Sequence, residues 1–209
     1  MKKLLVLCMT GVMVAWISAP RAKAGPYTVT LTQQGGNVVA SGSGAIDLTG
    51  LTFIGSVTGT EFGASWFIYP SGGEISTGFV DDTSGSDVAD FYNSSGFLSA
   101  PASFGSGNAT VASSSSGDIV GASFGTFTVP TGYVSDSLLS NRAIWDDSTF
   151  ASLGVASGTY VWTWGAGADQ SFTLDVQAPV PTGVPEPSSL ALLGIGLLGL
   201  VFPRRRKAA

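Results

Sequence analysis

Two short runs, Gly158-Thr159-Tyr160-Val161-Trp162-Thr163-Trp164-Gly165 and Ser171-Phe172-Thr173-Leu174-Asp175-Val176, carry the clearest periodic signal in the chain. Large apolar residues occupy alternate positions in both runs: Tyr160, Trp162 and Trp164 in the first, Phe172, Leu174 and Val176 in the second. A period of two belongs to a strand with one buried face, whereas a helix would repeat every third or fourth residue. Gly165-Ala166-Gly167 supplies a turn between the runs, because glycine takes left-handed backbone angles without a steric penalty. The two runs predict an antiparallel hairpin whose aromatic and aliphatic side chains pair across the strands and bury one face.

The same grammar recurs upstream. Tyr27, Val29 and Leu31 alternate with Thr28, Thr30 and Thr32, and Gln34-Gly35-Gly36-Asn37 turns the chain into Val38 and Val39, so a hairpin opens the domain. Leu51 to Ile54, Trp66 to Tyr69 ahead of the Pro70-Ser71-Gly72-Gly73 turn, and Ile119 to Val129 read as further strands. Ser99 to Gly117 is low in complexity and reads as a long loop or weak strands. Asp147 to Gly154 is the one short helix: Asp147 or Ser148 caps it, Phe150 and Leu153 are three apart, and Gly154 takes the left-handed stop. The sum is an all-β chain, expected to form a single β-sandwich-like domain of jelly-roll type with one short helix.

Both ends read as devices rather than as fold. Lys2 and Lys3 precede the apolar run Leu4 to Ile17, and Ala22-Lys23-Ala24 before Gly25 has the small-x-small pattern of a signal-peptide cleavage site. Lipidation at Cys8 is disfavoured because Leu7 stands where a small residue belongs. At the other end Val184-Pro185-Glu186-Pro187 is followed by the uncharged run Leu190 to Val201 and by Arg204, Arg205, Arg206 and Lys207. Each proline fixes its own φ and disfavours helix in the residue before it, which keeps Glu186 extended and accessible. The four cations act as a stop that holds the end of the chain on the cytoplasmic side. Ser188 to Phe202 is fifteen residues, short of the roughly 20 that cross a bilayer without thinning it, which suits a transient anchor better than a permanent one. The expected division is a signal peptide over 1–24, an exported β domain over 25–179, a Pro-rich linker with the sorting motif over 180–187, a membrane anchor over 188–203 and a basic cytoplasmic tail over 204–209.

The order Pro-Glu-Pro, apolar run, basic cluster resembles the PEP-CTERM sorting signal of exopolysaccharide-making Gram-negative bacteria. The same C-terminal segment is also catalogued at the end of some ice-binding proteins. The resemblance covers about two dozen residues. It implies export through the inner membrane, processing near Pro185-Glu186-Pro187 by the transpeptidase-like exosortase after signal peptidase has acted, and delivery to the cell surface or extracellular matrix. Gly158 to Gly165 with Ser171 to Leu174, preceded by Trp145-Asp146 and Thr149 to Gly154, resembles a module found just upstream of that signal in a subset of these exported proteins. This chain departs from the module in placing Gln170 between Asp169 and Ser171, which bears on the turn and not on the hairpin.

Removing both ends transforms the charge. All fourteen acids lie between Asp47 and Glu186, and Arg142 is the one cation left over residues 25–186, so these 162 residues carry a side-chain net of −13 against −5 for the whole chain. Such a surface repels phosphate backbones, whose binding requires Lys and Arg to displace counterions, and this argues against a nucleic-acid partner. Uronate-rich exopolysaccharide remains a candidate partner with divalent cations as bridges. The segment has no Cys and the chain no His, which removes disulfides, thiol catalysis, the usual zinc ligand and the usual neutral-pH base.

The remaining chemistry is thin. Gly121-Ala122-Ser123-Phe124-Gly125 fits the nucleophile-elbow pattern but has no His to accept the serine proton. Glu61, Glu74, Asp81, Asp82, Asp146 and Asp147 are candidate carboxylates for a glycosidase, which needs two acids facing each other across a sugar. Asp81-Asp82-Thr83-Ser84-Gly85-Ser86-Asp87, with Asp90 beyond, groups the hard oxygen ligands that Ca²⁺ prefers, without the Gly and Glu of an EF-hand. Tyr160, Trp162 and Trp164 could stack sugars if exposed, although such rows usually face a core. The single row Thr28, Thr30, Thr32 could order water on an ice-binding face but offers too little surface. Asn93-Ser94-Ser95 and Asn108-Ala109-Thr110 match the glycosylation pattern. The expectation is therefore a non-catalytic exported protein with no cofactor, no metal and no catalytic residue; the alternatives are a polysaccharide-binding module, with or without Ca²⁺, and a carboxylate glycosidase.

Overall fold

The computed structural model describes residues 25–58, 66–78, 87–93, 97–123, 125–167 and 169–179. The opening alternation folds as expected: β1 (Tyr27–Gln34) and β2 (Asn37–Ala45) form a hairpin about Gly35-Gly36, with Gly35 at φ +61°. Tyr27, Val29 and Leu31 are fully buried while the threonines between them reach the surface. The final hairpin pairs β12 (Gly158–Thr163) with β13 (Ser171–Val176), matching Tyr160 with Leu174 and Trp162 with Phe172. In its turn the Gln170 side chain accepts from Gly167 N at 2.8 Å and donates to Thr49 O at 2.9 Å, pinning the loop to the segment that follows β2. A side chain at Gly165 would collide with Gln170, so the inserted glutamine and the glycine are fitted to each other.

The remaining elements are β3 (Thr52–Thr58), β4 (Phe67–Tyr69), a 3-10 turn at Pro70–Gly72, β5 (Glu74–Thr77), β6 (Asp87–Asn93), β7 (Thr110–Val111), β8 (Ser114–Gly117), β9 (Val120–Ser123), β10 (Thr126–Pro130), β11 (Leu138–Trp145) and the helix α1 (Phe150–Leu153). Six strands form one sheet in the order β12-β13-β1-β2-β11-β8, and seven form a second in the order β3-β6-β10-β9-β5-β4-β7. The sheets pack face to face around one apolar core. Phe127 of β10 bridges them, 6.0 Å from the Phe172 ring and 5.0 Å from that of Trp164. Trp162 meets Phe172 edge-on at 5.1 Å, and Tyr27 stacks on Phe172 at 5.9 Å. Offset and edge-on ring pairs of this kind are the favoured aromatic geometries.

Several elements differ from the sequence reading. The strand expected over Leu51 to Ile54 starts later and runs on to Thr58. β11 was not anticipated; its inward set Leu139, Asn141, Ala143 and Trp145 has the right period, but a polar residue interrupts it. The helix is capped by Thr149, not by Asp147 or Ser148: Thr149 Oγ1 accepts from Ser152 N at 3.0 Å while Ser152 Oγ accepts from Thr149 N at 2.8 Å, a reciprocal capping box. Gly154 closes it at φ +64°, as expected.

The most consequential feature is that β13 pairs in parallel with β1, Tyr27 opposite Phe172 through Leu31 opposite Val176. The last strand therefore sits between β12 and β1, inside the sheet. The N-terminal end of the domain and its exit at Gln177, whose N–H donates to Leu31 O at 3.0 Å, lie at opposite ends of these two strands.

Candidate functional site

The aromatic platform is absent. Trp162 and Trp164 are 2% and 3% exposed, and Trp164 Nε1 donates to Asp47 O at 2.7 Å, so both indoles belong to the core.

The carboxylates are dispersed. Glu61, Asp81 and Asp82 lie outside the described residues. Asp146 and Asp147 occupy the exposed turn after β11, where Asp147 N donates to Asn37 Oδ1 at 3.0 Å. Glu74 opens β5 in the other sheet. The proposed Ca²⁺ loop lies mostly outside the described residues; Asp90, at its far end, is buried and accepts from Ser56 Oγ at 2.5 Å and Gly132 N at 2.9 Å. Among the described residues no three Asp, Glu, His or Cys side chains group as metal ligands.

Ser123 ends β9 in the β9–β10 hairpin. A nucleophile elbow needs a strand-to-helix turn, so this G-x-S-x-G is a glycine-rich hairpin. Ser123, Glu74 and the Trp162 edge do line a cavity of about 150 Å³ with Phe97 and Pro101, a volume below the roughly 300–1,000 Å³ of ordinary ligand pockets.

Sequence reasoning missed a buried polar group between the sheets. The Tyr27 hydroxyl and Asn141 Oδ1 are buried with no hydrogen-bond partner, and both crowd the space that a side chain at Gly42 would fill. Burial first, and the Asp118 carboxylate second, push the Tyr27 phenol well above its ordinary pKa, while the Thr77 hydroxyl, too far for a well-formed hydrogen bond, acts in the opposite direction. Asn141 Nδ2 donates to Asp118 O at 2.8 Å, and the Asp118 carboxylate accepts from Ser140 N at 2.8 Å. These contacts tie β11 to the turn after β8.

The outward face of the six-stranded sheet carries a different pattern. Its register aligns Val161, Thr173, Thr28, Ser43 and Ser140 across five strands. The next row runs Thr159, Asp175, Thr30, Ser41, Arg142 and Ser116 across all six. The row Thr28, Thr30, Thr32 noted in the sequence is thus one column of a two-dimensional array of hydroxyls.

The described residues define a two-sheet β-sandwich followed closely by a chain end of quite different composition. A family model of the PEP-CTERM protein-sorting motif matches residues 183–207. The chain therefore carries the signal of an exported protein targeted to an exosortase, with a C-terminal sorting segment. No curated protein and no solved structure matches it. The motif residues Val184, Pro185, Glu186 and Pro187, the anchor over 188–203 and the cations Arg204, Arg205, Arg206 and Lys207 lie outside the described residues, as do Ala22 and Ala24 of the expected cleavage site; Gly25 is the first described residue. Among the described residues no helix is long and apolar enough to cross a membrane.

Proposed function

We propose that this chain is a non-catalytic surface or extracellular-matrix protein of a Gram-negative bacterium. It crosses the inner membrane behind its signal peptide, is held there briefly by residues 188–203, and is released when an exosortase cuts near Pro185-Glu186-Pro187. The observation that carries this reading is the sorting motif over 183–207, standing directly behind the strand that completes the sandwich. Because β13 lies inside the sheet, the domain completes its fold only when Val176 has emerged, and eleven residues, 177–187, then link it to the anchor over 188–203. At roughly 3.6 Å per fully extended residue that tether reaches no more than about 40 Å, which keeps the folded domain near the membrane until the cut. A non-catalytic role is supported by the lack of His and by the placing of Glu74 on β5, in the other sheet from the β11 turn that holds Asp146 and Asp147.

The test is a chain in which Pro185, Glu186 and Pro187 are all replaced by Ala, expressed in a host that carries an exosortase. Accumulation of an uncut membrane-bound form supports the proposal, and unchanged release into the medium refutes it.

A further inference from the structure

We propose that the outward face of the six-stranded sheet is a docking surface for a neutral, hydroxyl-rich polysaccharide. The inference deepens the matrix role proposed above but is tested independently of processing. Thr30, Thr173, Ser41, Ser43 and Ser140 point outward, and their hydroxyls make no hydrogen bond to any described part of the protein. Each is therefore free to donate one hydrogen bond and accept others. Successive outward residues on a strand are about 6.7 Å apart and neighbouring strands about 4.8 Å, so the hydroxyls stand on a regular grid, interrupted by Val161, Asp175 and Arg142 in the first two rows and by Val39 and Ile144 in the next.

Charge selects the occupant. Residues 25–186 carry a net −13, yet the strand positions of this face hold one carboxylate, Asp175, and one guanidinium, Arg142. Part of the Asp175 charge is engaged by Thr159 Oγ1 at 3.4 Å. An anionic polymer would be repelled by the body of the domain, and a cationic one would find its acids elsewhere; an uncharged polyol meets a surface of its own kind. Size argues against a second copy of the chain. Six strands with about three outward positions each cover on the order of 600 Å², against roughly 800 Å² per partner in a stable protein complex. The face also lacks the exposed Trp or Tyr anchor that such interfaces use. A polymer gains instead by repetition, since one chain can engage several identical domains at once.

The probe is microcrystalline cellulose, incubated with the full-length chain in detergent and sedimented. Depletion of the protein from the supernatant, insensitive to salt, is expected. Ser41→Lys with Ser43→Lys should reduce retention at least tenfold at unchanged melting temperature, and Ala109→Lys in an exposed loop should not change it. No retention of the native chain, or equal retention of the face variant, overturns the proposal. So does adsorption to ice without retention on cellulose, or a dimer that the face variant abolishes. None of these outcomes touches the sorting proposal, because the assay involves no processing.

Discussion

Removing the Tyr27 hydroxyl should make the protein more stable. The side chain is fully buried and its oxygen has no hydrogen-bond partner. Leaving a buried hydroxyl unpaired costs about 1–3 kcal/mol, while a phenylalanine keeps the ring stacked 5.9 Å from Phe172. Allowing for the proximity of Thr77, Tyr27→Phe should gain about 1 kcal/mol, or roughly 2–4 °C in melting temperature for a domain of this size. Alkaline pH sharpens the test. The phenol's pKa is raised in the folded state, so the folded chain holds this proton more tightly than the unfolded one. The resulting contribution is fully present below the ordinary tyrosine value near 10 and is lost as pH rises past it toward the folded pKa. The variant lacks that loss, and its advantage over the native chain should widen above pH 10. Tyr133 and Tyr92, both also raised chiefly by burial, leave some alkaline sensitivity in either protein. Urea unfolding followed by tryptophan fluorescence, near neutral pH and again in the alkaline range, measures both effects. A loss of about 1 kcal/mol or more on substitution would show instead that the hydroxyl is satisfied.

Gly42→Ala should destabilise sharply because its methyl would press on Tyr27 and Asn141, whereas Gly36→Ala, with open space around it, should be nearly silent. Combining Gly42→Ala with Tyr27→Phe should recover part of the loss, and a strictly additive double variant in the same urea assay would contradict the shared contact. Trp162→Ala, which empties the centre of the aromatic cluster, should cost about 3–5 kcal/mol by the same measurement. Thr149→Ala removes the capping box of α1 and should cost about 1 kcal/mol, and an unchanged unfolding midpoint would show that the helix is held by Phe150 and Leu153 alone.

The parts legible in the sequence are those whose signal is local. Tyr27, Val29 and Leu31 announced their strand because three consecutive inward positions are apolar, and Trp162 and Phe172 announced theirs for the same reason. β11 escaped notice because Asn141 takes an inward position and Arg142 follows it, breaking the apolar rhythm in the middle of an eight-residue strand. The parallel pairing of β1 with β13 joins residues about 145 positions apart, and nothing in either strand alone specifies that neighbour. The same limit applies to sites. The sorting motif is contiguous, so its chemistry is readable directly, and the family match over 183–207 coincides with it. The hydroxyl array is spread over six strands, and only their register turns Thr30, Ser41 and Ser43 into one surface. The cap assignment failed for a finer reason: Asp147 sits two residues too early, at φ +49°, where its backbone shapes the turn before the helix.

Under the proposed function both ends of the chain are discarded. Intact-mass analysis of the protein recovered from culture medium and from membranes reads both cuts in one experiment. The released species is expected to begin at Gly25 and to lack the cations Arg204 to Lys207. A stable product that keeps those cations, in whichever fraction it is found, would contradict the proposal.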